Sequence, residues 1–271
     1  MAKVSIILTS YNYEKYIKEA INSVLNQTVN DWELIIIDDY STDNSIDIIM
    51  EFANLDNKIQ VIRNCENLGL KDSIKTALLA VTGEWVAFLE SDDVWKKDYL
   101  EKKLAIANQY PDVGFIYNNV KFFDSQAQIA EKKYSSIINQ NNKRKSPQNM
   151  FYNFGYNNPV LTMSSVMVKK QFLENIDFNT PIDKLLDWYL YIQIAQKTEF
   201  YYINDELTLW RQHEKSYISK NNKIKYKFAN ISAYCHLYKQ SPWNLELFVF
   251  IILSTIRMCF KRLINYVSKN K

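Results

Sequence analysis

Short apolar runs alternate along the first half of the chain with segments whose apolar residues recur every three or four positions. Val4–Thr9, Trp32–Ile37, Ile59–Ile62 and Trp85–Leu89 are nearly continuous apolar stretches and predict strands buried on both faces. Between them, residues 14–28 place Ile17, Ala20, Ile21, Val24 and Leu25 at helical spacing, and 44–54, 70–81 and 98–109 also read as helices. Asn67-Leu68-Gly69 predicts a turn, and Gly83 a stop after the third helix. Farther on, Val113–Phe123 and Met163–Val168 predict strands, 184–197 a helix, and Tyr201–Ile203 and Leu207–Trp210 two short strands. The polar stretch 124–158 reads as a long loop or flap, and 225–240 as a helix. Alternating strands and amphipathic helices imply a mostly parallel central sheet with helices on both faces, an α/β fold.

Such sheets bind ligands beyond the carboxyl ends of their strands. Those ends carry Thr9–Asn12, Asp38–Asp43 and Glu90–Asp93. Glu90, Asp92 and Asp93 fall within four residues, and crowded carboxylates repel one another unless a cation joins them. Hard oxygen donors at this place suit Mg²⁺ or Mn²⁺ carrying substrate phosphates. The alternative is an acidic turn in which Asp93 caps the next helix. No Gly-x-Gly-x-x-Gly follows the first strand and no Walker-type loop occurs, which argues against dinucleotide and P-loop nucleotide binding.

Composition narrows this further. Apolar residues make up 47% of the 271-residue chain, and 4 Gly and 5 Pro leave little linker, so a substantial core is expected. Three widely spaced cysteines suit a reducing compartment, and no secretory signal opens the sequence, so a cytoplasmic location is expected. The net charge of +3 is uneven: residues 217–271 carry ten basic residues and one acid, for +9, leaving −6 on residues 1–216. An apolar stretch, Trp243–Phe260, interrupted by Glu246 and Arg257, lies in that basic tail. It is too short for a confident membrane span. Two readings stay open: 243–271 docks on the inner face of an anionic membrane, or it packs on the catalytic domain or on a second subunit of a homodimer.

Val4–Asn12, Ile35–Asp43, Asn67-x-Gly69, Gly83–Trp95, Leu186-Asp187-Trp188 and Trp210-Arg211-x-His213 occur in an order that resembles glycosyltransferase family 2, inverting enzymes of the GT-A fold. The resemblance covers about residues 3–216, so 1–216 is expected to be the catalytic domain and 217–271 a helical extension. It implies a metal-dependent transfer of one sugar from a nucleotide diphosphate sugar, a UDP-sugar in preference, to a glycan or lipid-linked acceptor in surface-glycan synthesis, with no nucleic acid partner. It assigns Thr9, Tyr11, Asn12, Asp39, Lys71, Glu90, Ser91, Asp92 and Arg211 to the nucleotide sugar. Asp92 and His213 would hold Mn²⁺ or Mg²⁺, Asp187 would be the base, and Asp93 and Trp188 would meet the acceptor. Three positions depart from the family pattern: Glu90 stands where Asp is usual, Leu186 where an acid is usual, and Ile74 where many relatives have Arg. Rivals on a similar sheet are a nucleotidyltransferase and an inert sugar- or nucleotide-binding module.

Overall fold

A computed structural model of the protein describes residues 3–155, 158–179, 186–213, 229–240 and 244–256. The first half follows the expected alternation: β1 (Val4–Ser10), α1 (Ile17–Leu25), β2 (Trp32–Asp38), α2 (Ser45–Leu55), β3 (Ile59–Arg63), α3 (Gly69–Leu78), β4 (Trp85–Glu90), a short β5 (Val94–Trp95) and α4 (Tyr99–Gln109). Then come β6 (Val113–Phe123), α5 (Ala127–Asn141), β7 (Val166–Lys169), α6 (Leu186–Ala195), β8 (Glu199–Arg211), α7 (Ala229–Gln240) and a further helix, α8, over 245–256.

The strands form one sheet in the order β3-β2-β1-β4-β7-β6-β8-β5. Strands β1 to β4 are parallel; β7 runs antiparallel to both β4 and β6, β8 is parallel to β6, and β5 returns antiparallel on β8. Successive strand side chains point to opposite faces. Ile7 of β1 therefore joins the core on one face, with Ile74, Tyr189 and Phe200, while Ile6 and Leu8 join the core on the other, with Ile21, Ile49 and Leu100. This two-sided burial is why the central strands are almost purely apolar.

Three expectations differ. The polar stretch after β6 is not simply a loop: residues 127–141 form α5, where Tyr134 and Ile138 pack beside Phe122 and Trp210. That helix has few apolar residues because it covers only a small satellite core. The two short strands expected at 201–210 are one long strand, β8, whose pairing with β6 shifts register near Asn118 and Asn119. Those irregularities accommodate the polar Asn-Asp-Glu stretch within it. The strand expected from Met163 begins only at Val166, because Met163–Ser165 make a 3-10 turn capped by the Thr162 hydroxyl.

The boundary expected at 216/217 lies outside the described residues. The helices beyond it share the main core: Ala233, Tyr234, Leu237, Leu247 and Phe250 belong to the same buried cluster as Ile7 and Phe115. Among the described residues no helix is long and apolar enough to cross a membrane.

Candidate active site

The register of the parallel strands assembles the polar ends. Thr9 is level with Glu90, and Ser10 with Asp38, so the carboxyl ends of β1, β2 and β4 form one edge. Ser91, itself buried, ties two of them together through a hydrogen bond from its hydroxyl to the Thr9 carbonyl.

On the β2 side, Asp38 is fully buried, accepts from the Ser41 N–H at 3.0 Å and pairs with Arg63 at 3.5 Å. Asp39 accepts from Asn64 Nδ2 at 2.7 Å, the Leu68 N–H at 2.9 Å and the Gly69 N–H at 2.8 Å. It thus fixes the turn that opens α3, where Gly69 takes φ +79°, a left-handed conformation that suits glycine. Three of its roughly four acceptor positions are already used. Asn12 also has positive φ, 58°, and its side-chain carbonyl accepts from the Thr42 N–H at 2.8 Å, stitching the β1 and β2 loops together. The Tyr11 and Tyr40 rings are exposed nearby, with the Arg63 guanidinium 5.7 Å from the Tyr40 ring centre. Lys71 and Lys75 both turn to Asp72, at 3.9 and 3.0 Å, and Ile74 is wholly buried.

On the β4 side the three acids separate into distinct environments. Glu90 accepts from the Thr162 hydroxyl at 2.6 Å, and its pKa is pushed up to about 7 by burial first and then by the charge of Asp92, with Asp187 adding. Asp93 accepts from the Arg211 N–H at 3.0 Å and the Thr162 hydroxyl at 3.2 Å, and burial, then Asp92 and Glu90, hold it well above the usual carboxylate range. One hydroxyl proton cannot serve two carboxylates at once, which favours keeping a proton on the pair. Asp92 instead faces His213, Oδ2 to Nε2 at 3.1 Å, and the His213 ring lies 5.2 Å from Tyr16.

Asp187 sits in the first turn of α6, half-buried on an otherwise buried helix. Burial raises its pKa, against the Trp188 N–H that hydrogen-bonds to it. Asp187 and Glu90 both push the buried Tyr191 hydroxyl up, so the base candidate and the acid motif address one region.

Three of the expected site residues are engaged by the protein itself. Arg211 is one of them. Its guanidinium pairs with Glu19 and with Asp124 at 3.1 Å, donates to the Asp92 carbonyl at 2.8 Å, and lies against Tyr16 and Phe123. It is a frame for the acid motif. Asp93, 1% exposed with both oxygens engaged, ties β4 to β8. Trp188 is 6% exposed and packs within the main core.

Several residues around the site had no signal in the motifs. Tyr13 is one: burial and the charges of Asp92, Glu90 and Asp93 push its hydroxyl strongly up, so it faces all three acids. Thr162 and Ser164 are others, the latter accepting from the Glu90 N–H at 3.0 Å. The one available hint is that Thr162, Ser164 and Ser165 are hydroxyls crowded just before an apolar strand.

Among the described residues no three of His, Cys, Asp and Glu are grouped to hold a metal ion. Asp92 and His213 nevertheless present an oxygen and a nitrogen donor side by side, donor types that would suit Mn²⁺ or Mg²⁺.

Residues 5–173 match the profile described as Glycosyl transferase family 2. The chain belongs to this family. Across the family it is similar to WfgD of Escherichia coli, a UDP-Glc:alpha-D-GlcNAc-diphosphoundecaprenol beta-1,3-glucosyltransferase, at 32% identity over 201 residues, 74% of this chain and 73% of that one. It is also similar to TuaG of Bacillus subtilis (strain 168), a glycosyltransferase named for teichuronic acid biosynthesis, at 46% identity over 101 residues; the match spans 37% of this chain and 40% of TuaG. Among solved structures, TarS 1-349 of S. aureus in complex with UDP-GlcNAc superposes with TM-score 0.66 at 20% identity, covering 87% of this chain and 66% of that one. The mannosyltransferase PcManGT from Pyrobaculum calidifontis, in complex with GDP-Man and Mn²⁺, gives 0.67 at 18% identity, covering 88% and 64%. The fold is the GT-A fold of these glycosyltransferases.

Proposed function

We propose that this glycosyltransferase moves a single sugar from a nucleotide diphosphate sugar, a UDP-sugar in preference, to a hydroxyl of a glycan or lipid-linked acceptor, inverting the anomeric carbon. One observation carries the mechanism: Asp187, its pKa raised by burial, faces the same region as the acid motif of β4. A carboxylate with a raised pKa is a better proton acceptor. As the acceptor oxygen attacks the anomeric carbon from the face opposite the diphosphate, its proton passes to Asp187. The bond from that carbon to the diphosphate oxygen breaks, and the electron pair leaves with the diphosphate.

Asp92 and His213 are the residues that would hold Mn²⁺ or Mg²⁺, which when bound neutralises the charge growing on the leaving diphosphate. The exposed Tyr11 ring offers a stacking face for the base, with Thr9, Asn12 and Asp39 shaping the nucleoside side and Glu90 and Ser91 the ribose or metal side. The half-exposed Lys71 contributes positive charge on the same side of the sheet. A UDP-sugar is favoured because WfgD is named for UDP-Glc and TarS binds UDP-GlcNAc, and a lipid-linked acceptor because WfgD is named for a diphosphoundecaprenol one.

The test is Asp187→Asn with a panel of nucleotide sugars and Mn²⁺. Donor binding is expected to stay near wild type while transfer falls by about 10²-fold or more, the usual span for losing a general base. Loss of donor affinity with turnover intact makes Asp187 a binding residue and ends this mechanism. No transfer by the wild-type protein from any donor that it binds would favour an inert binding module.

A further inference from the structure

The helix α8 has two apolar faces, and among the described residues only one of them is covered. The inner face is Leu247, Phe250 and Ile251, packed into the main core. Phe250 rests against Tyr152 and Tyr234 with ring centres 4.9 and 4.8 Å away. The outer face carries Leu245, Phe248, Val249, Ile252, Leu253 and Ile256, all exposed, with Leu245 at 72% and Leu253 at 59%. Their spacing of three and four residues draws one stripe along the helix, about 18 Å long at 1.5 Å per residue. Scattered apolar residues on a surface are ordinary, but a contiguous stripe of six marks a surface that something covers. The acid of α8, Glu246, lies beside Leu245, Val249 and Leu253 and accepts a hydrogen bond from the Tyr152 hydroxyl at 2.9 Å.

Charge decides between the candidate occupants. The chain that follows α8, residues 257–271, holds Arg257, Lys261, Arg262, Lys269 and Lys271 and no acid, and 217–271 as a whole carries +9. A second copy would carry the same excess of positive charge in this part of its sequence, which disfavours its approach. The stripe also offers only a few side chains, against the roughly 800 Å² per partner of a standard interface. An anionic lipid surface supplies both an apolar layer for the stripe and negative charge for the basic residues that continue it.

We propose that α8 seats the protein on an anionic membrane surface by its outer face while its inner face stays in the core. Packing on protein and docking on membrane are thus opposite faces of one helix.

The test uses the full chain and two vesicle compositions, phosphatidylcholine alone and phosphatidylcholine mixed with phosphatidylglycerol. Co-sedimentation with the mixed vesicles is expected, with little on phosphatidylcholine alone, and binding is expected to weaken by about tenfold or more in high salt as surface charge is screened. Combined Val249→Glu and Leu253→Glu substitution is expected to reduce binding at low salt by about tenfold or more, at an unchanged melting temperature because both side chains are exposed. The milder pair Val249→Asn and Leu253→Asn should act in the same direction. Absence of binding to the mixed vesicles overturns the proposal, as does binding that either folded double variant retains in full. So does a lipid-free dimer in sedimentation equilibrium that the substitutions dissolve, since the stripe then belongs to a second copy. None of these readouts depends on sugar transfer, so the outcome is separate from that of the Asp187 experiment.

Discussion

At the residue scale the site is a set of carboxylates given different tasks by their neighbours. Glu90 illustrates the energetics. Its folded pKa of about 7 lies above the usual glutamate value of 4.5, so the folded protein holds a proton that the unfolded chain has lost across that window. Stability from this group is complete below the ordinary value and declines as pH rises through about 7, by up to roughly 3 kcal/mol. Urea unfolding of metal-free protein at pH 5 and pH 8 should show that decline, and Glu90→Gln should make it smaller, leaving the part that Asp93 and Asp187 contribute with the same sign. A Glu90→Gln protein that keeps the full slope would move its origin elsewhere. The motifs single out Asp92, His213 and Asp187 as candidates because spacing and order carry that information. They do not reveal that Arg211 is occupied by Glu19, Asp124 and the Asp92 carbonyl, because these partners lie 192, 87 and 119 residues away in sequence. Tyr13 and Thr162 were hidden for the same reason: each acquires meaning only when distant chain segments meet.

At the element scale, strands buried on both faces could be read almost to the residue, because their apolar runs end in polar clusters where the sheet ends. What could not be read is order and irregularity. The register shifts in β8 and the turn at Met163–Ser165 depend on neighbouring strands rather than on local pattern. α5 was missed because a helix covering a small satellite core has little apolar periodicity. The entry to β4 is more demanding than its sequence suggests. A Cβ on Gly83 would lie 2.7 Å from the Ser5 backbone nitrogen, in the middle of the β1–β4 junction. Gly83→Ala is therefore expected to destabilise by about 1–3 kcal/mol, the usual range for overpacking. A denaturant midpoint equal to wild type would mean that β1 yields without cost.

At the scale of the whole molecule, the division between a catalytic domain and a tail in the sequence does not correspond to separate cores. Hydropathy and charge marked residues beyond 216 as different, yet α7 and the inner face of α8 complete the cluster that also contains Phe115 and Tyr191. Tyr234 adds a hydrogen bond to the Phe151 carbonyl at 2.6 Å. Removing residues 229–271 should consequently lower the melting temperature or abolish cooperative unfolding, which calorimetry would show. A truncated chain that melts like the parent would demonstrate that the two parts are independent. The sheet also imposes a timetable on assembly. Val94 and Trp95, just past the acid motif, pair with Leu209 and Thr208, across more than a hundred residues of intervening chain. The first four strands need no such partner and find one another over shorter separations. Distant pairings form slowly because the intervening loop must be closed before any contact rewards it. A nascent chain can therefore build half of its sheet before Asp92 and Asp93 meet His213 and Arg211, so the acid motif receives its last partners late.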